Sequence, residues 1–277
     1  MRPRSHLSAM QEDLIRLGLV DDDDIMLDEA ALTLALLDHP DADPDEYEQM
    51  LGSLSLRLEE GAGDAASAHD HAEALSRVFA EEYGFTGDAE TYDDPANADL
   101  IQVIERRRGL PVALSILYVA AARRLGWMAN VLDVPGHVLV LLGEDAAPVI
   151  VDPFRGGARV DRDQLAAMLT ATDSGQRAAV RHVAAMPNRA VLVRLLTNQA
   201  TRAEQAGKGR RALDLYGRMT LIAPDYGQAW WERARLEHID DDVPAARRSL
   251  TAMLEITRDP QMRGVVTSAL DALGAAR

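Results

Sequence analysis

The stretch GLPVALSILYVAAARRLG, residues 109–126, is apolar at nearly every position from Val112 to Ala122. A helix that is apolar on all sides lies at the centre of a domain. Pro111 suits the first turn of such a helix, where its missing N–H is not needed. The apolar run is shorter than the about 20 residues that cross a bilayer. The stretch therefore predicts a buried central helix and not a membrane span.

Three short strands are predicted after this helix. They cover residues 129–134, 138–142 and 148–151, and turn residues separate them at 135–136 and 143–146. Strands joined by such short turns form an antiparallel sheet, with one face on the core. His137 stands at the start of the second strand and Asp152 at the end of the third. The expected fold class is α+β, with the central helix packed against a small antiparallel sheet.

The first hundred residues are predicted to be helical. Four consecutive aspartates, 21–24, precede an apolar run at 25–37, and further helical patterns lie near 45–60 and 69–83. Aspartates before a helix satisfy its free N–H groups and favour its dipole. They lack the spacing of a calcium loop, so we expect no metal site.

The C-terminal part contains an internal repeat with a period of about 34 residues, the period of tetratricopeptide repeats. A first unit that begins at Val193 contains Leu196, Ala200, Ala212, Tyr216 and Pro224. A second unit that begins at residue 227 contains Trp230, Ala234, Ala246 and Leu250. Alternating small and large positions at this period are also typical of such repeats. Residues 261–273 are predicted to form a capping helix.

Composition narrows the function classes. The chain of 277 residues has no cysteine, which excludes disulfides, thiolate metal sites and thiol catalysis and fits a reducing cytoplasm. Residues 1–100 have a charge balance of −21 and residues 101–277 one of +5. Such an acidic chain repels phosphates and anionic lipids, so we expect neither a nucleic-acid nor a membrane partner. Motifs for dinucleotides, phosphate loops, zinc proteases and α/β-hydrolases are absent from the sequence, and we expect no cofactor.

A family resemblance joins these features. The block YDDPANADLIQVIERRRGLPVALSILYVAAARRLG, residues 92–126, followed by PGHVLVLL and VDPFRGG, resembles the SirB-type bacterial branch of transglutaminase-like proteins. The resemblance implies a transglutaminase-like core followed by tetratricopeptide repeats. In catalytic members of the wider family, a cysteine at the start of the central helix works with a histidine and an aspartate on strands.

Carried over by position, the resemblance assigns these roles to Pro111, His137 and Asp152. Proline at the nucleophile position has no side chain that can attack a substrate and no amide N–H for an oxyanion hole. His137 and Asp152 are then either a structural pair, whose hydrogen bond satisfies two buried groups, or remnants of a ligand site. Ser115, one turn beyond Pro111, is the alternative nucleophile; its other role is a hydroxyl bonded back to the helix backbone.

The sequence thus predicts a helical region with the core at 1–172, a linker at 173–188 and two repeats with a cap at 189–277. The predicted function is a non-catalytic interaction or regulatory scaffold in the cytoplasm. It would bind a protein or peptide through its repeats, at Leu196, Asn198, Trp230, Trp231 and Arg233. The alternative is an acyl-transfer or amide-hydrolysis enzyme that uses His137 and Asp152 with Ser115 or water as the nucleophile.

Overall fold

The computed structural model describes residues 6–143, 147–170 and 185–275. The chain divides into two compact units, one formed by Asp22–Leu195 and the other by Met1–Asp21 together with Leu196–Arg277. The first helix therefore groups with the C-terminal residues, whereas the sequence assigned residues 1–172 to one domain. Most of the linker predicted at 173–188 lies outside the described residues.

The secondary structure is mainly helical. The helices are α1 (His6–Leu19), α2 (Leu27–Leu36), α3 (Pro44–Ala62), α4 (Ala68–Ser76), α5 (Leu100–Arg106), α6 (Pro111–Arg124), α7 (Arg162–Thr170), α8 (Asn188–Gln205), α9 (Gly209–Ile222), α10 (Gly227–Ile239), α11 (Val243–Ile256) and α12 (Pro260–Ala275). The strands are β1 (Thr86–Gly87), β2 (Arg108–Gly109), β3 (Ala129–Val134), β4 (His137–Leu142), β5 (Val149–Asp152) and β6 (Ala158–Arg159).

Helix α6 is the centre of the unit formed by Asp22–Leu195. Every residue from Val112 to Ala122 is buried, and the helix packs against α2, α3, β3 and β4. Burying each large aliphatic side chain stabilises the fold by about 1.5–3 kcal/mol. The predicted central helix is confirmed, and its apolar surface on all sides is explained by neighbours on all sides.

A four-stranded antiparallel sheet packs on α6 in the order β3-β4-β5-β6. Val131 pairs with Val140, and Val140 pairs with Val151. The three predicted strands are confirmed, and the two-residue strand β6 is an addition. Helix α7 contributes Leu165 and other partly buried residues to an apolar cluster on the sheet. The result is an α+β core.

A short parallel pair of strands, β1 and β2, leads into α6. Thr86 pairs with Arg108 and Gly87 with Gly109. A Cβ on Gly87 would lie 2.3 Å from atoms of the Phe154 ring, so only glycine fits there. Phe154 comes two residues after Asp152. This contact brings the chain after β5 beside the strand pair that precedes α6.

Polar contacts join the two ends of the same unit. The Asp22 carboxylate accepts hydrogen bonds from the backbone N–H groups of Asn188 and Arg189 at the start of α8, both at 2.8 Å. Arg123, near the end of α6, donates to Asn188 Oδ1 at 2.7 Å and to the carbonyl oxygen of Ala129 at 2.8 Å. Asp22, the second of the four aspartates, therefore caps a helix that starts 166 residues later.

The second unit contains α1 and, from Leu196 onward, the consecutive helices α8–α12 with short connections. Helices α9 and α11 both have 14 residues. Their first residues, Gly209 and Val243, are one period of the sequence repeat apart, and so are the last residues of α8 and α10. Ala212 and Ala246, at the same offset, are both fully buried. The matching lengths and offsets agree with the period that the sequence predicts.

The helix predicted at 261–273 lies within α12. Across the described ranges, we find no helix long and apolar enough to span a membrane.

Candidate functional site

The start of α6 is built without a nucleophilic side chain. Pro111 is the first residue of the helix and is half-buried. The residue before it, Leu110, is fixed by its backbone N–H, which donates to the carbonyl oxygen of Asn97 at 2.8 Å. The chain contains no cysteine at any position. A thiolate at this helix start would be stabilised by the helix dipole, but no group here can use that stabilisation.

Ser115 is completely buried in the core. Its side chain is 0% exposed, and its Oγ has no hydrogen-bond partner among the described residues. No hydrogen bond therefore joins Ser115 to His137, and none returns to the helix backbone. A serine needs a base within hydrogen-bond reach to act as a nucleophile, and the described contacts do not supply one.

His137 and Asp152 lie close together on adjacent strands. The register of β4 and β5 brings them within about two positions of each other along the sheet. His137 is half-buried, and no hydrogen bond joins its ring to Asp152 in the described part of the chain. The Asp152 carboxylate instead accepts from the backbone N–H of Phe154 at 3.0 Å and lies 3.6 Å from Arg155 Nε. The histidine and the aspartate are neighbours without being a bonded pair.

The surroundings of Asp152 disfavour its charge. The residue is 3% exposed, and burial raises the pKa of its carboxyl group; backbone N–H groups and the charges of Arg155 and His137 oppose this shift only in part. The hydroxyl of Tyr118 on α6 is buried with no described partner. Burial, with a contribution from Asp152, raises the pKa of Tyr118. The Asp152 carboxyl group and the Tyr118 hydroxyl thus both lie in surroundings that offer them few hydrogen-bond partners.

A second polar cluster, which sequence reasoning missed, lies before α6. The Asp88 carboxylate accepts from the Thr91 hydroxyl at 2.6 Å, the Thr91 N–H at 2.8 Å and Arg106 at 3.1 Å. Chiefly through the Thr91 hydroxyl bond, these contacts lower the pKa of Asp88 to about 2. The signal in the sequence is Asp-x-x-Thr at 88–91, typical of a side chain that bonds its own turn.

Asn97 connects this cluster to the central helix. It is 0% exposed, its amide donates to the carbonyl oxygen of Thr91 at 2.7 Å and its Oδ1 accepts from Arg106 at 3.2 Å. Its own carbonyl receives the N–H of Leu110. Arg106, at the end of α5, is ion-paired with Asp88 within this cluster.

Two of the predicted partner-binding residues lie on α8. Leu196 is 0% exposed, so its side chain belongs to the core and offers no surface to a partner. Asn198 is half-buried, and its side-chain oxygen accepts from Arg202 at 3.1 Å. Of these two residues, only Asn198 has accessible surface.

The other three lie on α10 and are half-buried. Trp230 and Trp231 pack against an apolar cluster formed with α11 and α12. Trp230 Nε1 donates to the carbonyl oxygen of Pro224 at 2.8 Å, and Arg233 donates to Glu237 at 2.9 Å. These side chains present one surface to solvent and use the other to stabilise the helices.

The candidate site has no side-chain set for a metal. Within residues 6–143, 147–170 and 185–275, no group of three or more His, Asp or Glu side chains is placed to hold an ion. At and beside the predicted catalytic positions, the described side chains supply the half-buried imidazole of His137, the buried carboxyl group of Asp152 and the buried hydroxyls of Ser115 and Tyr118.

Comparison with known proteins identifies relatives of the core. The family described as the transglutaminase-like superfamily matches residues 45–197. A UPF0162 protein of Xylella fastidiosa, strain Temecula1, is 30% identical over 221 residues, which cover 78% of this chain and 79% of the relative. Human F-box only protein 21 is 30% identical over 82 residues, 30% of this chain and 13% of that protein. A crystal structure of menin covers 99% of this chain and 79% of its own at 12% identity and a TM-score of 0.39, too low to assign a fold.

Proposed function

This chain belongs to the transglutaminase-like superfamily, and we propose that it is a non-catalytic interaction or regulatory scaffold of the SirB-type branch. In this proposal a transglutaminase-like core without its nucleophile is joined to two tetratricopeptide repeats. The repeats bind a protein or peptide partner in the cytoplasm. The core carries out no reaction.

The observation that carries the proposal is Pro111 at the first position of α6. Proline has no nucleophilic atom and no backbone N–H to stabilise an oxyanion. The possible substitute, Ser115, is fully buried and not hydrogen-bonded to His137. His137 itself is not hydrogen-bonded to Asp152, so the two remaining family positions lack the contact that would orient the imidazole.

The repeated offset supports the assignment of repeats. Helices α9 and α11 repeat in start, end and length, and the pair Tyr216 and Leu250 is buried at matching positions. Helix pairs of this kind use small residues for close approach and large ones to fill the space between units. Asn198, Trp231 and Arg233 are the candidate contacts with a partner, because each retains accessible surface.

A capture experiment with two kinds of variant tests the proposal. Tagged full-length protein is compared with Asn198→Ala/Trp231→Ala on the repeats and with His137→Ala/Asp152→Ala in the core. We expect the repeat variant to lose specific partners, identified by mass spectrometry, and the core variant to keep them. Circular dichroism controls for folding in each case.

An activity screen completes the test. The intact protein is incubated with glutaminyl peptides plus amines, and with chromogenic esters and amides. We expect no turnover above that of the His137→Ala/Asp152→Ala protein. Turnover that Ser115→Ala or His137→Ala abolishes would favour the enzyme alternative and overturn the proposal.

A further inference from the structure

Helix α1 shows how an added helix can seat on this repeat region. It packs along α9, and at Gly18 the backbones are so close that a Cβ would lie 2.2 Å from the carbonyl oxygen of Leu221. The face of α9 with Leu213, Gly217 and Leu221 is half-buried. At Leu221 this face thus receives a helix from elsewhere in the same unit, whereas a Cβ on Gly217 would meet no atom within 4 Å.

The equivalent face of α11 has no such cover among the described residues. On α11, the positions one repeat period after Leu213, Gly217 and Leu221 are occupied by Arg247, Thr251 and Glu255. The last three are all exposed, although the opposite side of α11 is buried as on α9. The two helices therefore differ in whether a further helix lies on this face.

A groove of about 1010 Å³ lies along the uncovered face. Its lining residues on α11 are Val243, Pro244, Arg247, Arg248, Thr251, Ala252 and Glu255, and the end of α12 supplies Leu273 and Gly274. This spacing of three and four residues follows one face of a helix. The twelve steps of helical rise from Val243 to Glu255 give a length of about 18 Å, which suits about three turns of a bound helix.

The chemistry of the groove selects the occupant. Val243, Ala252 and Leu273 are half-buried apolar residues that line it. Arg247 and Arg248 place two positive charges in it and Glu255 one negative charge, which leaves the groove with a net positive charge. Arg248 forms no ion pair among the described residues. Arg247 donates to the carbonyl oxygen of Leu270 at 3.2 Å, so its head group is held in place.

We propose that this α11 groove is the docking site for an acidic amphipathic helix of a partner protein. An apolar stripe of that helix contacts the half-buried residues, and its acidic side chains pair with the two arginines. A helix like α1 fits less well, because α11 presents the charged Glu255 where α9 presents Leu221, the residue that Gly18 of α1 approaches. This inference rests on the proposed scaffold function and names the class of partner.

The test uses the full-length chain with a single introduced thiol, which the absence of native cysteine makes specific. Thr251→Cys is labelled with an environment-sensitive fluorophore, and Ser53→Cys on the exposed surface of α3 is the control. The probe is a helical peptide of four turns with leucines every three or four positions and glutamates between them. A peptide with lysines in place of the glutamates is the matched control.

We expect the acidic peptide to change the emission at position 251 saturably, and the control label and the lysine peptide to give no such change. Arg248→Glu should weaken binding about fivefold, since it replaces an attraction of the size of a surface ion pair by repulsion. Arg258→Glu makes the same charge change at an exposed residue outside the groove. This control should alter the affinity for the acidic peptide by less than about twofold. Circular dichroism verifies that the variants fold.

Three results would overturn the inference. The first is that the acidic peptide causes no saturable change in the emission at position 251. The second is that Arg248→Glu and Arg258→Glu weaken peptide binding equally. The third is that the chain self-associates and that Arg248→Glu abolishes this self-association. The last would make a second copy the occupant. If the peptide fails while Asn198→Ala/Trp231→Ala still removes captured partners, the groove proposal is wrong and the scaffold proposal stands. If the peptide does not bind and Asn198→Ala/Trp231→Ala does not remove captured partners, the scaffold proposal is wrong as well.

Discussion

Asp88 and Asp152 are both almost buried, at 6% and 3% exposure, yet their surroundings are opposite. Asp88 accepts three hydrogen bonds, one of them from Arg106, and its charged form is stabilised. Asp152 accepts from Phe154 and lies near a hydroxyl on Tyr118 that has no described partner, and its charged form is disfavoured. The charged Asp88 carboxylate stabilises the fold through its contacts, whereas the buried charge of Asp152 lowers the stability of the fold. Such costs are typical of positions that serve, or once served, a function.

The largest effect that separates the two clusters is expected at Asp88. Asp88→Asn should lower the free energy of unfolding by about 2 kcal/mol at pH 7, since a pKa of about 2 against the ordinary 3.8 stabilises the charged form by that amount. Because the folded pKa is depressed, this stability is present above about pH 4 and is lost as the pH falls toward 2. Urea unfolding at pH 7 and at pH 2–3 measures the difference.

Glu90→Gln is the matched control for Asp88. Glu90 is exposed in the same loop, and its neutralisation should change stability by less than about 0.5 kcal/mol. An Asp88→Asn protein as stable as the parent at pH 7 would mean that the cluster does not favour the carboxylate. The contrast with Asp152 would then disappear.

An effect of opposite sign is expected at Asp152. Asp152→Asn should raise the free energy of unfolding by about 1 kcal/mol at pH 7, since the amide oxygen can still accept from Phe154 while the buried charge is removed. The folded pKa of Asp152 is raised, so the cost of its charge appears as the pH rises through the unfolded pKa and is absent below about pH 4. The same unfolding series measures it. A loss of stability at pH 7 would show instead that the pair with Arg155 is structural.

The smallest effect is expected at His137. His137→Ala should change stability by less than about 0.5 kcal/mol, because the ring is half-buried and not hydrogen-bonded to Asp152. His39→Ala is the comparison: His39 Nε2 lies 2.8 Å from Asp99 Oδ2, and its loss should cost about 1 kcal/mol. Thermal unfolding of both variants ranks them. A larger cost for His137 than for His39 would restore the structural pair that the sequence suggested.

Much of the core could be predicted from the sequence, because its patterns are strong and local. The apolar run from Val112 to Ala122 has one interpretation as a helix at a domain centre, and the turn at 135–136 sets the first strand pair. The position of Pro111 at the helix start follows from its missing N–H. The repeat period likewise predicts the equal lengths of α9 and α11.

The remaining features depend on contacts between distant residues. No local pattern shows that Gly18 brings α1 onto α9 or that Arg106 reaches Asp88. Leu196 is fully buried, although the sequence predicted it as a partner-binding residue, because the spacing of large and small residues does not show which side chains remain exposed. Whether His137 and Asp152 bond to each other depends on ring and carboxylate orientation, which sequence does not specify.

The cap that Asp22 provides for α8 also bears on the order of folding. Its bond to the N–H of Asn188 closes a loop of 166 residues, and contacts between such distant residues form late and slow the search for the native state. During synthesis Asp22 leaves the ribosome long before Asn188 exists. The core of this chain can therefore reach its final arrangement only after the start of α8 has been made. Until then the Asp22 carboxylate has to bind water, or a chaperone, in place of the N–H groups that α8 later supplies.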